Sequence, residues 1–107
     1  MREGYLQGTL DVLVLKALAW GPRHGYGVAG WIRETTEAAL VVEEGALYTA
    51  LHRLERRGWV ESEWGVSENN RRAKYYRLTR DGRRRLARET ASWERVMTAV
   101  QDILEAT

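Results

Sequence analysis

The 107-residue sequence contains no cysteine, which excludes disulfide bonds, thiolate metal sites and a cysteine nucleophile. It also lacks a long hydrophobic run, because Asp11 and Lys16 interrupt the apolar stretch from Leu10 to Trp20 well short of membrane-spanning length. The N-terminus shows no basic segment followed by an unbroken apolar stretch, so no signal peptide is predicted. We therefore expect one small domain that is soluble, cytoplasmic and not associated with a membrane.

Patterns typical of catalytic sites are missing as well. The sequence shows no Ser/His/Asp set, no cluster with metal-ligand spacing and no phosphate-binding glycine loop. His24 has no second histidine or acidic cluster close to it in sequence, and we predict a structural role for it. The expectation is a protein that is not an enzyme and holds no cofactor or metal.

Charge is distributed unevenly along the chain, although the net charge is only +2. Residues 71–88 carry nine basic side chains against the single acid Asp81, whereas residues 59–70 and 89–107 are net acidic. A basic segment is most often a solvated face. Next to a helix suited to a DNA groove, however, it favours phosphate binding and a polyanionic partner.

A segment with the features of a recognition helix spans 43–57. Leu47, Leu51 and Leu54 recur on one side of it and are predicted to be buried, and Gly58 is the expected C′ residue. The opposite side is polar and basic, which suits insertion into the major groove of DNA. The residues of this helix predicted to bind DNA are Gly45, Tyr48, Thr49, His52, Arg53 and Arg56.

Two helices are predicted before this segment. Residues 1–8 are expected to form a short arm, and Thr9 is the expected N-cap of a first helix that ends near Trp20. The second helix is predicted over 25–36. Its two internal glycines, Gly27 and Gly30, are interpreted as points of close helix–helix contact. Residues 38–42 form an apolar connector that could pair as a short edge strand.

A strand pair is predicted after the recognition helix. Residues 59–64 alternate as a half-buried strand does, and residues 72–78 are predicted to return beside them. The loop 65–70 is rich in turn formers and would form the tip of a wing aimed at a DNA backbone or minor groove, with an ordinary exposed hairpin as the alternative. The wing residues predicted to bind DNA are Arg71, Arg72 and Lys74.

The last helix is predicted to start after its cap Thr79 and to reach Glu105, a length of about 40 Å. A helix that projects from so small a body cannot bury its apolar stripe within the monomer, so a second copy of the chain is expected to cover it. The predicted dimer-interface residues are Leu86, Trp93, Val96, Met97, Val100, Ile103 and Leu104. The predicted fold is mainly α with a small β-hairpin: a winged helix–turn–helix over 1–79 and a dimerisation helix over 80–107, forming one structural unit.

The order of these elements and several short motifs resemble the PadR family of bacterial transcriptional regulators. The motifs are Gly8-Thr9-Leu10-Asp11, His24-Gly25-Tyr26-Gly27, Gly45-Ala46-Leu47-Tyr48, Leu51-His52-Arg53-Leu54-Glu55, Lys74-Tyr75-Tyr76-Arg77-Leu78-Thr79 and Gly82. The resemblance implies a winged helix–turn–helix dimer that usually represses genes and in several members responds to a small aromatic ligand. Thr49 stands where the family often has proline, which bears on sequence preference rather than on the fold.

The expected partners are double-stranded DNA with an inverted-repeat operator, a second copy of the chain and a planar aromatic small molecule. Single residues leave alternatives open: Tyr48 could donate to a phosphate or merely pack, and Arg53 could read a guanine or pair with Glu55 or a phosphate. Trp93 could stack on the ligand or simply fill the dimer core. A winged-helix protein-interaction module that dimerises without reading DNA is the alternative function, and the basic segment 71–88 argues against it.

Overall fold

The computed structural model describes the backbone of residues 2–107 and the side chains of residues 8–107. The elements along the described chain are α1 (Arg2–Ala17), β1 (Arg23–His24), α2 (Gly25–Thr35), α3 (Glu44–Arg56), β2 (Val60–Val66), β3 (Arg72–Leu78) and α4 (Arg80–Glu105). This confirms the predicted fold class, a mainly helical chain with a β-hairpin and a long last helix. None of the described helices is both long and apolar enough to cross a membrane.

The first helix begins earlier than predicted. Helix α1 starts at Arg2, so the predicted arm over 1–8 is wrong and Thr9 lies inside the helix rather than at its N-cap. The side chains of the first seven residues lie outside the described part of the chain. Once a helix is nucleated, each further residue adds a hydrogen bond, and the buried turn around Val14 and Leu15 supplies that nucleus.

The sheet has three strands in the order β1-β3-β2, one more than the predicted hairpin. The extra strand is only two residues long and pairs Arg23 with Tyr76 and His24 with Tyr75, so it is too short to show an alternating pattern in the sequence. The edge strand considered for 38–42 is absent from the described chain. The backbone there leaves the extended region at Glu37 and Ala38, which have φ angles of 50° and 65°.

The core lies between helices α1, α2 and α3 and the base of the hairpin. It contains Leu47, Leu51 and Leu54 of α3, whose burial their spacing predicted. The largest fully buried side chains are Val14, Leu15, Leu18, Val28, Ile32, Leu51, Leu54, Val60 and Tyr76. Because α3 buries its apolar side here, its other side is fixed toward the outside of the molecule.

Helix α3 ends in a Schellman motif, as the glycine at its end predicted. Gly58 has a φ of +78°, in the left-handed region that glycine adopts without a steric penalty. Its N–H donates to the carbonyl oxygen of Glu55 at 3.0 Å, and the N–H of Trp59 donates to that of Leu54 at 3.1 Å. This pair of bonds satisfies the last carbonyls of the helix and turns the chain directly into β2.

The start of α4 is fixed against the same turn. The Thr79 hydroxyl accepts from the N–H of Gly82 at 3.0 Å and donates to the carbonyl oxygen of Gly58 at 2.6 Å, which confirms Thr79 as the cap. A Cβ at Gly82 would overlap the backbone carbonyl of Trp59. Because this contact is backbone against backbone, α4 leaves the body at a fixed place beside the end of α3.

Candidate nucleic-acid interface

The outer side of α3 is open to solvent, as its sequence pattern predicted. Four of the predicted DNA-binding residues are exposed there: Gly45, Thr49, His52 and Arg56. Glu43 is the N-cap but makes no side-chain capping bond, and Glu44 lies in the first turn. The exposed side is therefore polar, and its cations lie nearer the C-terminal end of the helix.

The expectation that Arg53 lies on this outer side is wrong. Its guanidinium forms an ion pair with Asp11 of α1 through Nη2 and Oδ1, and Nε lies 3.4 Å from Oδ2. The two side chains are only 13% and 16% exposed. Arg53 therefore fixes α3 against α1, and its planar fork matches one carboxylate instead of a guanine.

Tyr48 joins α3 to the start of α2. A Cβ at Gly25 would overlap the ring and hydroxyl of Tyr48, so glycine is required where the two helices approach. Burial raises the pKa of the Tyr48 hydroxyl, with further contributions from Glu44 and Tyr26. The hydroxyl therefore stays protonated at neutral pH and can act as a hydrogen-bond donor.

The close helix contact that we predicted at Gly27 and Gly30 belongs to Gly25 instead. A Cβ at Gly30 would meet open space, and the nearest neighbours of one at Gly27 would be Arg23 and His24, just before the same helix. Sequence spacing identifies glycines but not the neighbour that each one faces, since that neighbour, Tyr48, comes from another helix.

The two faces of the wing carry different charges. On one face, the register pairs Val60 with Leu78, Ser62 with Tyr76, Trp64 with Lys74 and Val66 with Arg72. This face is buried at the base of the hairpin and becomes basic and aromatic toward its tip. The opposite face carries Glu61 and Glu63, and Glu61 accepts from Arg77 at 2.7 Å. Only the first face is suited to a polyanion.

The cations on the basic face of the wing are held differently. The Lys74 ammonium lies 3.9 Å from a carboxylate oxygen of Glu55 on α3, and the Ser62 hydroxyl donates to the other oxygen of Glu55 at 2.6 Å. Lys74 is thus half-buried and ties the wing to α3. Arg72 and Arg71 are exposed, so they are better placed than Lys74 for phosphate contacts.

A cleft of about 470 Å³ separates the wing from the start of α2 and the first turns of α3. The described residues that line it are His24, Gly25, Tyr26, Tyr48, Trp64, Ser67, Glu68, Asn69, Arg71, Arg72, Ala73, Lys74 and Tyr76. The cleft therefore brings Tyr48 of the recognition helix together with the predicted wing cations. The other residues of α3 predicted to bind DNA do not line it: Gly45, Thr49, His52, Arg53 and Arg56.

His24 has the structural role that we predicted. Its Nδ1 accepts from the N–H of Gly27 at 3.1 Å and caps α2, while Nε2 lies 3.5 Å from Glu68 at the wing tip. A backbone hydrogen bond within Glu68, followed by this contact with His24, lowers the pKa of the Glu68 carboxyl. Over residues 8–107 no group of three or more histidine and acidic side chains is arranged to hold a metal ion.

The second half of α4 exposes an apolar stripe. Met97, Val100, Ile103 and Leu104 are at least half exposed, and Ile103 and Leu104 reach 75% and 78%. Leu86 packs partly against the chain's own core, and its place in the dimer interface stays a prediction. The strongly exposed part of the stripe therefore begins at Met97.

The geometry of a basic wing beside an exposed recognition helix agrees with comparisons to known proteins. The sequence matches the family described as "Transcriptional regulator PadR-like family" over residues 14–88. The chain belongs to the PadR-like family. The family resemblance predicted from its motifs is therefore confirmed, and the protein is a DNA-binding transcriptional regulator.

Solved structures of transcriptional regulators share this architecture over most of the chain. A transcriptional regulator from Clostridium thermocellum is 29% identical, with a TM-score of 0.84 over 95% of this chain and 96% of that chain. A PadR family regulator from Eggerthella lenta is 33% identical, with a TM-score of 0.78 over 96% of this chain and 88% of that chain. An uncharacterized protein from Lysinibacillus sphaericus is 27% identical over 98% of this chain and 96% of its own length. Regulators of this family are generally non-enzymatic.

Proposed function

We propose that this PadR-like regulator is a homodimeric repressor that binds an inverted-repeat operator. Each subunit would place the exposed side of α3 in a major groove and the basic face of its wing on the adjacent backbone. The observation that carries this proposal is the cleft shared by Tyr48 of α3 and the wing residues Arg71 and Arg72. A dimer seated on an operator would exclude polymerase from the promoter.

The residues proposed to contact DNA have two different roles, contact with bases and contact with phosphates. Thr49 and His52 project from the exposed side of α3 and are proposed to contact base edges, whereas Arg71 and Arg72 are proposed to contact phosphates. Gly45 and Arg56 flank the first pair on the same side, Tyr48 donates at its edge, and Lys74 contributes mainly by holding the wing to α3. Arg53 is assigned a structural role because Asp11 occupies its donors.

The proposed dimer rests on the stripe of α4. Six apolar side chains recur on one side of the second half of the helix: Trp93, Val96, Met97, Val100, Ile103 and Leu104. An exposed apolar stripe of this length favours pairing with a like helix. The two-fold symmetry of such a pair would present two recognition helices to one side of a duplex.

Release by a small aromatic ligand stays a prediction within this proposal. The ligand site is predicted at Trp93, between the subunits, and therefore exists only in the dimer. A ligand relieves repression only if it binds better to a dimer whose recognition helices are wrongly spaced for DNA. The matching measurement is a titration of planar compounds that follows quenching of Trp93 fluorescence and release of DNA together.

The experiment that tests the proposal is selection of duplexes from a random pool, followed by sedimentation equilibrium of the free and bound protein. We expect an inverted repeat with half-sites about 10 bp apart and a free protein of twice the chain mass. A reporter driven by a promoter that contains the selected site should be repressed. Selection of single half-sites bound by one chain would contradict the dimer, and failure to enrich any sequence would favour the protein-interaction module.

A further inference from the structure

The wing carries a large aromatic side chain that the core does not use. Trp64 is 57% exposed and is not among the side chains packed against the buried cluster. It lies on the cleft side of the hairpin, opposite Lys74 in the register and diagonal to Arg72. An exposed tryptophan beside an open cleft calls for an explanation other than packing.

Trp64 holds a cation. The guanidinium of Arg72 lies over the indole ring, 4.4 Å from its centroid. Among the described side chains no carboxylate pairs with Arg72, whereas Arg77 on the other face bonds to Glu61 and Lys74 lies beside Glu55. Arg72 is therefore the wing cation whose side chain is held by an aromatic face instead of an acid.

The difference between these two kinds of partner matters for binding an anion. A carboxylate occupies N–H donors of a guanidinium and neutralises its charge. A ring contacts the flat face of the group, so all five N–H donors in the plane stay available and the charge is kept. Stacking also restricts the rotamers of a flexible side chain before it binds, which lowers the entropy lost on complex formation.

We propose that Trp64 is a positioning residue for DNA binding, which holds the guanidinium of Arg72 ready for a phosphate of the duplex backbone. This inference rests on the proposed function, in which Arg72 contacts the backbone from the wing. Trp64 acts through Arg72 and makes no sequence-specific contact of its own. Its removal therefore weakens binding to every duplex by a similar factor.

A double-mutant cycle tests the proposal, with a short fluorescein-labelled duplex of mixed sequence as the probe. W64A is expected to weaken binding about two- to fivefold, as for loss of an exposed cation–π contact. R72A should weaken binding and reduce the salt slope by about one. The double variant W64A/R72A should bind no more weakly than R72A, and W64F should recover most of the affinity because a phenyl ring also holds a cation.

Trp20 supplies a matched control. It is 63% exposed and also lies under a cation, with the Lys16 ammonium 4.7 Å from its ring centroid, but it does not line the cleft. W20A should leave DNA affinity unchanged. Additive losses in the W64A/R72A cycle, or no recovery in W64F, would overturn the positioning role.

A measurement without DNA separates this inference from the proposed function. Stacking on the indole ring should shift the Arg72 Hδ resonances upfield in the NMR spectrum of the free protein. The shift should be lost in W64A, whose thermal unfolding shows whether the wing remains folded. An unshifted Arg72 in the wild type refutes the inference even if DNA binds. A shifted Arg72 in a protein that binds no duplex refutes the proposed function, and with it the role of Trp64 in DNA binding, although the stacking itself is real.

Discussion

Helices α3 and α4 are both amphipathic, but they leave opposite sides uncovered. Helix α3 buries its leucines in the core and presents polar side chains to solvent. Helix α4 is held to the body at its start, and its apolar side chains Met97, Val100, Ile103 and Leu104 are at least half exposed. The first pattern is typical of a helix that binds a polar ligand, and the second of a helix that binds a like helix.

The comparison shows that amphipathicity alone does not reveal a partner. What matters is which side the rest of the chain covers. The Schellman motif at Gly58 and the close approach of Gly82 fix both helices to one turn. The exposed polar side of α3 and the exposed apolar side of α4 therefore have a fixed relative orientation. A dimer formed through α4 would therefore also set the distance between its two α3 helices.

The largest expected effect concerns the uncovered side of α4. Val100→Asp places an unpaired carboxylate from each subunit in the proposed interface, where burial of a charge is costly. We expect the dissociation constant of the dimer, measured by sedimentation equilibrium, to rise by about 1,000-fold, equivalent to about 4 kcal/mol. Thr98→Asp, which adds the same charge on the opposite side of the helix, should leave the dimer intact; equal effects of the two variants would contradict the interface.

The covered side of α3 is tested by Asp11→Asn. Loss of the Asp11 charge leaves the Arg53 guanidinium largely buried without its counter-charge, and we expect the free energy of unfolding to fall by about 2–3 kcal/mol in urea titrations. Glu61→Gln, which breaks the exposed pair with Arg77, should cost less than about 1 kcal/mol. A change in operator preference without a loss of stability in Asp11→Asn would show that Arg53 contacts DNA and does not stabilise the fold.

A smaller effect is expected from the uncovered side of α3. Thr49→Ala should change the relative affinity for operator variants by about fivefold, since a single base contact is worth about 1 kcal/mol. Arg72→Ala serves as the comparison, because loss of a phosphate contact should lower the affinity for all duplexes alike. Competition binding over a panel of single-base operator variants measures both. An equal loss of affinity for all operator variants in Thr49→Ala would show that Thr49 contacts the DNA backbone and not a base.

The smallest effect should appear at alkaline pH, at the contact between α3 and β3. Burial, followed by the charge of Glu55, raises the pKa of Tyr76 above its ordinary value of 10.0. The native protein therefore holds this proton more tightly than the unfolded chain does, so stability falls as the pH rises above about 10. In Tyr76→Phe the free energy of unfolding, measured by urea titration, should fall less steeply as the pH rises above about 10. An unchanged pH dependence would show that ionisation of Tyr76 does not contribute to it.

Local features of the molecule could be predicted from the sequence. The leucine spacing of α3, the glycine after it, the Thr79 cap and the alternation of the wing strands depend on neighbours within a few residues, whose relative positions the backbone geometry fixes. The basic segment 71–88 and the family motifs pointed to DNA in the same way. The exposure of Thr49 and His52 followed from the buried side of one helix.

Contacts between distant segments were decided by the tertiary structure alone. Spacing placed Arg53 on the DNA side, but packing of α1 against α3 brought Asp11, 42 residues away in sequence, to its guanidinium. Gly25 is needed because Tyr48 meets it, and β1 exists because β3 runs beside it.

Sequence by itself thus determined which side chains each element presents, because a helix or strand repeats with a fixed period. Only the fold decided which of those side chains face Asp11, Trp64, the core or the open cleft. A side chain's neighbours depend on the packing of whole elements, and the period of a single element does not contain that information.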